Sequence, residues 1–438
     1  MILLYRLLFI PALLLTLPFY VPRMLRRGGY AGHFAQRLGF WNGLPPKTAH
    51  GRRVWVHAVS VGEILALRPL IRRLREHDHR IEIVLTTTTS TAYALARREF
   101  FHDLVFLAYF PLDFWLFSRT AWKRVRPDAC LLMEAEVWPE HLHQAKVRNV
   151  PVFLINARMS ERSHWRWRKT PRCLRMVFSM MSRIVAASEA DRDRFLDLGA
   201  PEDKVSVSGN LKLDFVPEPI FTEDQLARLR RELGFFLPDK TEAAPLVLAG
   251  ASTWPGEEEM LLRVRKKLLL LGLSCKLLLV PRHAERGRVL RQILASSGVS
   301  VHFRTDGAAA GAVDVTVADT TGELVSLLQV ADVVFVGKSM RPHQGGQNPI
   351  EAAALGKSVL FGPNMQNFQA VVQSMLENKA AIQVRNEGEL STWTAALLRD
   401  IHVRQEQGLR AKKWHESGRG ATERTFAILQ NVLDKDTH

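Results

Sequence analysis

The chain has 438 residues, 47% of them hydrophobic, which excludes a disordered polypeptide and leaves room for two domains. A formal net charge of +16 calls for a polyanionic neighbour, whether nucleic acid, anionic lipid or a phosphorylated substrate. Cys130, Cys173 and Cys275 are odd in number, far apart and without C-x-x-C pairing, so neither a disulfide framework nor a zinc site is indicated and a reducing cytosol suits them.

From Ile2 to Val21 the only charge is Arg6. As a helix such a run is about 30 Å long, enough to cross a hydrocarbon core. Arg23, Arg26 and Arg27 follow it and favour the cytoplasmic side for the rest of the chain. Residues 1–27 are therefore expected to form an N-terminal membrane anchor, either spanning or lying in the interface. A cleaved signal peptide is the rival, but Pro18-Phe19-Tyr20-Val21 offers no small-x-small site. Pro11 and Pro18 are expected to kink or shorten the helix.

A connector from Gly28 to His50 leads into alternating strand-like and helix-like runs. Strands are expected at Val54–Val59, Ile81–Thr86, Leu104–Ala108, Ala129–Met133, Val152–Asn156 and Ile184–Ala187, with helices near Glu63–Arg75 and Thr91–Arg98. The alternation implies a parallel sheet wrapped by helices. Leu211–Gln225 breaks it with two prolines, so residues 28–215 are read as a first Rossmann-like domain and 216–243 as a linker. Short apolar runs return at Leu246–Ala249, Lys276–Val280, Val299–Phe303, Val333–Val336 and Ser358–Phe361, giving a second such domain over 244–420. The helix-like end, 421–438, is expected to pack back on the first domain. In folds of this kind ligands bind beyond the carboxyl ends of the strands.

The stretch Gly345-Gly346-Gln347-Asn348-Pro349-Ile350-Glu351 follows the strand run Val333–Val336 and opens a helix. Glycines let backbone N–H groups approach a phosphate, and Glu351 can accept hydrogen bonds from ribose hydroxyls. The same residues also read as a plain turn, with Asn348 capping a helix whose first position is Pro349.

This segment resembles the G-G-H-N-P-x-E signature of the 3-deoxy-D-manno-octulosonic acid (Kdo) transferases, inner-membrane enzymes of lipopolysaccharide synthesis. The resemblance extends over almost the whole chain. It includes His57-Ala58-Val59-Ser60-Val61-Gly62-Glu63, Met133-Glu134-Ala135-Glu136-Val137-Trp138-Pro139, Asn156-Ala157-Arg158-Met159-Ser160-Glu161-Arg162 and Gly209-Asn210-Leu211-Lys212. It continues through Gly250-Ala251-Ser252-Thr253-Trp254-Pro255-Gly256-Glu257, Pro281-Arg282-His283 and Gly322-Glu323-Leu324. Gln347 stands where the family usually has His. The fold implied is α/β of GT-B type, with two Rossmann-like domains facing a central cleft and an N-terminal membrane anchor helix.

The resemblance implies that Glu63 is the catalytic base and Glu134 the transition-state partner. It also implies CMP-contacting positions at Pro281 and Arg282, at Gly322, Glu323 and Leu324, and at Asn348, Pro349, Ile350 and Glu351. By its pattern alone, Glu63 could equally be a solvated first-turn acid favoured by the helix dipole. Lys212 and Arg282 are candidates to neutralise the phosphate of a leaving CMP, against the plainer reading of surface cations. Ser188 and Glu189 are weaker candidates, and His57 and His283 read as packing or hydrogen-bonding residues. The single D-x-D, Asp191-Arg192-Asp193, falls in the first turn of a helix and reads as structural. No metal and no cofactor are expected.

The implied reaction is inverting transfer of Kdo from CMP-Kdo to a lipid A precursor of the lipid IVA type. Between Lys146 and Arg183 ten Lys or Arg face one acid, Glu161, with Trp165 and Trp167 among them. That stretch suits an anionic inner-membrane surface or RNA bases, or is a solvated basic face. Two rival readings stay open: a GT-B transferase using another nucleotide sugar on a membrane lipid, and a membrane-tethered nucleic-acid-binding protein. No recognisable RNA module supports the latter, and no nucleic-acid partner is expected.

Overall fold

A run that is apolar at consecutive positions can bury both faces of a strand only in a sheet covered by helices on each side. Each run expected to be a strand does form one. The computed structural model describes residues 2–27, 33–236 and 244–434. The chain divides into two units, Met1–Asp214 with Gly418–His438, and Phe215–Ser417.

The first unit holds β1 (Arg52–Ala58), β2 (Ile81–Thr87), β3 (Leu104–Tyr109), β4 (Ala129–Met133), β5 (Val152–Ala157), β6 (Arg183–Ala186) and β7 (Val205–Val207). They form one sheet in the order β3-β2-β1-β4-β5-β6-β7, with every pairing parallel. Alternation along β1 sorts its side chains between two cores. Val54, Val56 and Ala58 pack with Leu67, Leu70 and Leu74 of the helix Val61–His77. Trp55 points the other way, onto Trp41 and Trp122, and its indole N–H donates to Thr86 Oγ1 at 3.0 Å.

The helix Ala421–Leu433 completes the first of these cores with Phe426, Leu429 and Leu433. Its start is capped from far away in sequence. Asp214 accepts the backbone N–H groups of Gly420 at 2.6 Å, Ala421 at 3.3 Å and Thr422.

The second unit holds β8 (Val247–Thr253), β9 (Lys276–Pro281), β10 (Val301–Phe303), β11 (Val315–Val317), β12 (Val333–Val336), β13 (Ser358–Phe361) and β14 (Ile382–Gln383). Its sheet, ordered β10-β11-β9-β8-β12-β13-β14, is again wholly parallel. Residues 216–236, expected to be linker, instead contain the helix Glu223–Glu232, started by a Thr222–Gln225 capping box. They are tied into the second unit by Gln329, whose side chain accepts Phe221 N–H and donates to Pro219 O, each at 2.8 Å. The rest of that expected linker, 237–243, and the start of the expected connector, 28–32, lie outside the described residues.

Ile2–Arg27 is a helix, and neither Pro11 nor Pro18 ends it. The expected spanning anchor finds no support in it: among the described residues no helix is long and apolar enough to cross a membrane. Two polar groups of this helix are turned to the protein. Arg6 donates twice to the fully buried Glu140, at 2.8 and 2.9 Å, and the Tyr5 hydroxyl donates to Asp113 at 2.6 Å. Leu3, Leu4, Leu7, Leu8, Ile10, Leu14 and Leu15 are exposed.

Candidate active site

In the first unit the candidate side chains gather past the carboxyl ends of β1 and β4. Ser60 caps the helix Val61–His77, accepting Glu63 N–H at 3.4 Å. The Glu63 carboxylate folds back over that cap, accepting Ser60 O–H at 2.7 Å and Val59 N–H at 2.9 Å. This anchoring removes the solvated first-turn reading, because Glu63 is only 6% exposed. Burial, with the charge of Glu134 adding to it, pushes the carboxyl up to about 7 against the pull of its two hydrogen bonds; Glu136 adds a smaller push.

Glu134 follows β4 in a left-handed conformation, φ 56°. Its backbone N–H donates to Ile155 O at 3.0 Å and its carbonyl accepts Arg158 N–H at 3.3 Å, fixing the turn. Its Oε1 pairs with Lys212 Nζ at 2.6 Å, and Arg158 stands 3.9 Å away. Lys212 therefore spends its charge on a carboxylate in this structure, a partner not anticipated by its reading as a phosphate cation. It passes beside Gly62, where an added Cβ would lie 3.9 Å from its Cε.

Asn156, fully buried, is the residue whose part sequence reasoning missed. Its Oδ1 accepts Leu211 N–H at 3.0 Å, and so holds the turn that carries Lys212. Its left-handed φ of 49° is the available signal, since Asn tolerates that region better than most residues.

The neighbouring candidates are structural. His57 is buried and stacks on Phe110 with centroids 3.8 Å apart, and Nδ1 lies 3.0 Å from Thr86 O. Glu136 accepts the Trp138 indole N–H at 2.9 Å. Asp191, 4% exposed, accepts Met159 N–H at 2.9 Å and Ser188 O–H at 2.6 Å, so the first acid of the D-x-D ties its helix to the loop after β5. Among the described residues no group of three or more His, Cys, Asp or Glu could hold a metal ion.

In the second unit, Pro281 ends β9 and Arg282 follows it, donating its backbone N–H to Thr253 O at 3.0 Å at the end of β8. Its side chain is exposed. Asn348 Oδ1 accepts Ile350 N–H at 3.1 Å, and Ile350 is buried. The helix that this motif opens is a single short turn, Ile350–Ala354, so its dipole adds little. Desolvation pushes Glu351 up to about 7, while the Asn348 amide and the Arg282 charge pull the other way.

Gly322, Glu323 and Leu324 form a turn with Gly322 at φ 91°. Burial favours the neutral form of Glu323, but Arg304, at 3.0 Å, and the Thr320 hydroxyl hold its carboxyl below the usual range. That side chain is already engaged, and no described contact joins it to Arg282 or Glu351.

A family model described as 3-Deoxy-D-manno-octulosonic-acid transferase (kdotransferase) matches residues 32–215. The chain is 31% identical over 409 residues to the 3-deoxy-D-manno-octulosonic acid transferase of Haemophilus influenzae, covering 93% of each. It is 33% identical over 390 residues to the Bordetella pertussis protein of that name, covering 87% of each. Among solved structures it is similar to a UDP-GlcNAc 2-epimerase from Neisseria meningitidis, with TM-score 0.59 and 15% identity over 86% of this chain and 100% of that one. A glycosyltransferase from Rickettsia africae gives 0.58 and 12% over 88% and 100%. At those identities the likeness concerns the fold, which is of GT-B type with two Rossmann-like domains. The chain belongs to the 3-deoxy-D-manno-octulosonic acid transferase family, and it is a Kdo glycosyltransferase.

Proposed function

We propose that this transferase moves Kdo from CMP-Kdo to a hydroxyl of a lipid A precursor of the lipid IVA type, with inversion at the anomeric carbon. The observation that carries the reading is the buried carboxyl of Glu63, raised to about 7 beside the Glu134–Lys212 pair. A base with that proton affinity is matched to neutral pH. Glu63 takes the proton of the acceptor hydroxyl as its oxygen bonds to C2 of Kdo. The C2–O bond to phosphate breaks and CMP leaves with the electron pair, its charge met by Arg282. Asn348 and Glu351 bind the nucleotide, and Gly322 to Leu324 supply a second contact loop. No divalent metal takes part, because a CMP donor has one phosphate for a cation to meet and Asp191 is committed to internal hydrogen bonds.

The acceptor reading is supported by the leucine-rich exposed face of Ile2–Arg27 and by the exposed Trp165 and Trp167 in the basic stretch 146–183. A helix lying in the interface of an anionic inner-membrane leaflet, with the domains on its cytoplasmic side, accounts for both. Purified protein incubated with CMP-Kdo and tetraacylated precursor should yield a Kdo-bearing lipid by mass spectrometry, with activity kept in EDTA. Transfer from a different nucleotide sugar only would overturn the donor, and product on a soluble acceptor only would overturn the lipid.

A further inference from the structure

β8 and β12 pair side by side, with Val336 opposite Ala251, and just past this pair two residues other than glycine hold left-handed backbone. Ser252 has φ 54° and Lys338 φ 57°. A residue with a Cβ stays there only when its surroundings impose it, and such imposed conformations cluster at functional sites. The surroundings here are specific. Glu257, 2% exposed, accepts the backbone N–H groups of Lys338 at 2.7 Å, Ser339 at 3.1 Å and Met340 at 3.3 Å, together with that of Trp254 at 2.9 Å. Gly337 admits no Cβ, which would lie 2.5 Å from Ser252 O.

The same turn is bonded to the Gly345–Glu351 motif. Lys338 O accepts Gly346 N–H and Gly337 O accepts Gln347 N–H, both at 3.1 Å. Lys338 Nζ sits 4.4 Å from the centroid of the Trp254 ring, and Trp254 meets His283, the residue after Arg282, edge to face at 5.4 Å. Among the described residues no carboxylate pairs with Lys338, and the buried Trp254 Nε1 has no hydrogen-bond partner. The ammonium thus rests on a ring whose own buried N–H has no acceptor among the described residues.

We infer that Lys338 and Trp254 Nε1 form an anion subsite for the carboxylate of the donor's sugar acid, making Lys338 a specificity-determining residue. The inference rests on the donor proposed above, which brings two anionic groups. Arg282 is the cation proposed for the phosphate, and Lys338 is the second cation for the second anion. An ammonium resting on an indole is already oriented and partly desolvated, so a carboxylate gains a charge-assisted contact without first displacing a protein anion.

The test uses the full-length chain and compares KM for CMP-Kdo with the inhibition constant of CMP. Lys338→Met should raise the KM at least tenfold and leave CMP inhibition within about twofold, which also shows that the variant is folded. Lys338→Arg should recover most of the loss, and Trp254→Phe, which keeps the ring but not the N–H, should show a smaller rise of the same kind. An unchanged KM, or equal weakening of CMP and CMP-Kdo as a phosphate contact would give, overturns the subsite. A wild-type chain that neither turns over CMP-Kdo nor binds CMP would sink the donor assignment itself, and the subsite with it, before any variant is made.

Discussion

Lys212 Nζ lies 2.6 Å from Glu134 Oε1, and this ion pair stands within electrostatic reach of the Glu63 carboxyl. The lysine thereby limits how far Glu134 can raise its neighbour. Removing it as Lys212→Met leaves Glu134, among the described residues, with Arg158 at 3.9 Å as its paired cation. The acid limb of the pH–rate profile should then move upward from about 7, and turnover should fall by roughly 10². A limb that stays in place while the rate falls would separate Lys212 from Glu63 and leave it a role on the leaving group.

Glu63→Gln should lower turnover by roughly 10² to 10⁴ with CMP binding nearly intact. The raised proton affinity also has a stability signature. The native carboxyl holds its proton up to about 7 and the unfolded one only to about 4.5, so the native state binds more protons between those values. This group's contribution therefore falls as pH rises through that window, by about 3 kcal/mol for a shift of that size. Denaturant melts of wild type and Glu63→Gln at pH 5 and pH 8 should diverge in that sense, with the variant gaining at the higher pH. Parallel stabilities would mean that Glu63 is not held protonated.

Asn156→Ala deletes the acceptor for Leu211 N–H and places a Cβ-bearing residue with no compensating polar group at φ 49°. A loss of about 1–3 kcal/mol is expected, together with reduced turnover, because the turn bearing Lys212 loosens. Asn156→Gly keeps the backbone permissive and isolates the hydrogen bond. Full activity in both variants would show that Lys212 is positioned by other contacts.

Reversing Arg166, Arg168 and Lys169 to Glu removes exposed cations beside Trp165, on whose ring Lys169 rests at 4.1 Å. Binding to anionic liposomes should weaken, most strongly at low salt. Unchanged sedimentation with vesicles would leave the stretch a solvated basic face.

Much of the fold was legible because its strands are buried on both faces: Val333–Val336 can hardly be anything but an inner strand once helices flank it. The short strands Val205–Val207 and Val315–Val317 were not, since three residues give no period to read. Motif order singles out Glu63, Glu134 and Arg282 as candidates, but not the states of their side chains. A first-turn Glu has the same sequence pattern whether it faces water or folds back on its cap. Nor does the pairing of Lys212 with Glu134, 78 residues apart, leave any local trace. The first helix shows the opposite case. Its apolar run is real, yet Arg6 and Tyr5 find buried carboxylates that a hydropathy count does not see.

The capping of Ala421–Leu433 by Asp214 bridges 206 residues between Asp214 and Gly420. A ribosome releases Asp214 long before its partners, so one face of the first sheet waits, with Leu67, Leu70 and Leu74 uncovered, until the whole second unit has been made. The second unit, continuous in sequence, has no such delay. The order of completion is therefore the reverse of the order of synthesis. A fragment ending after residue 214 should aggregate when expressed alone and become soluble when 418–438 is fused behind it through a short linker.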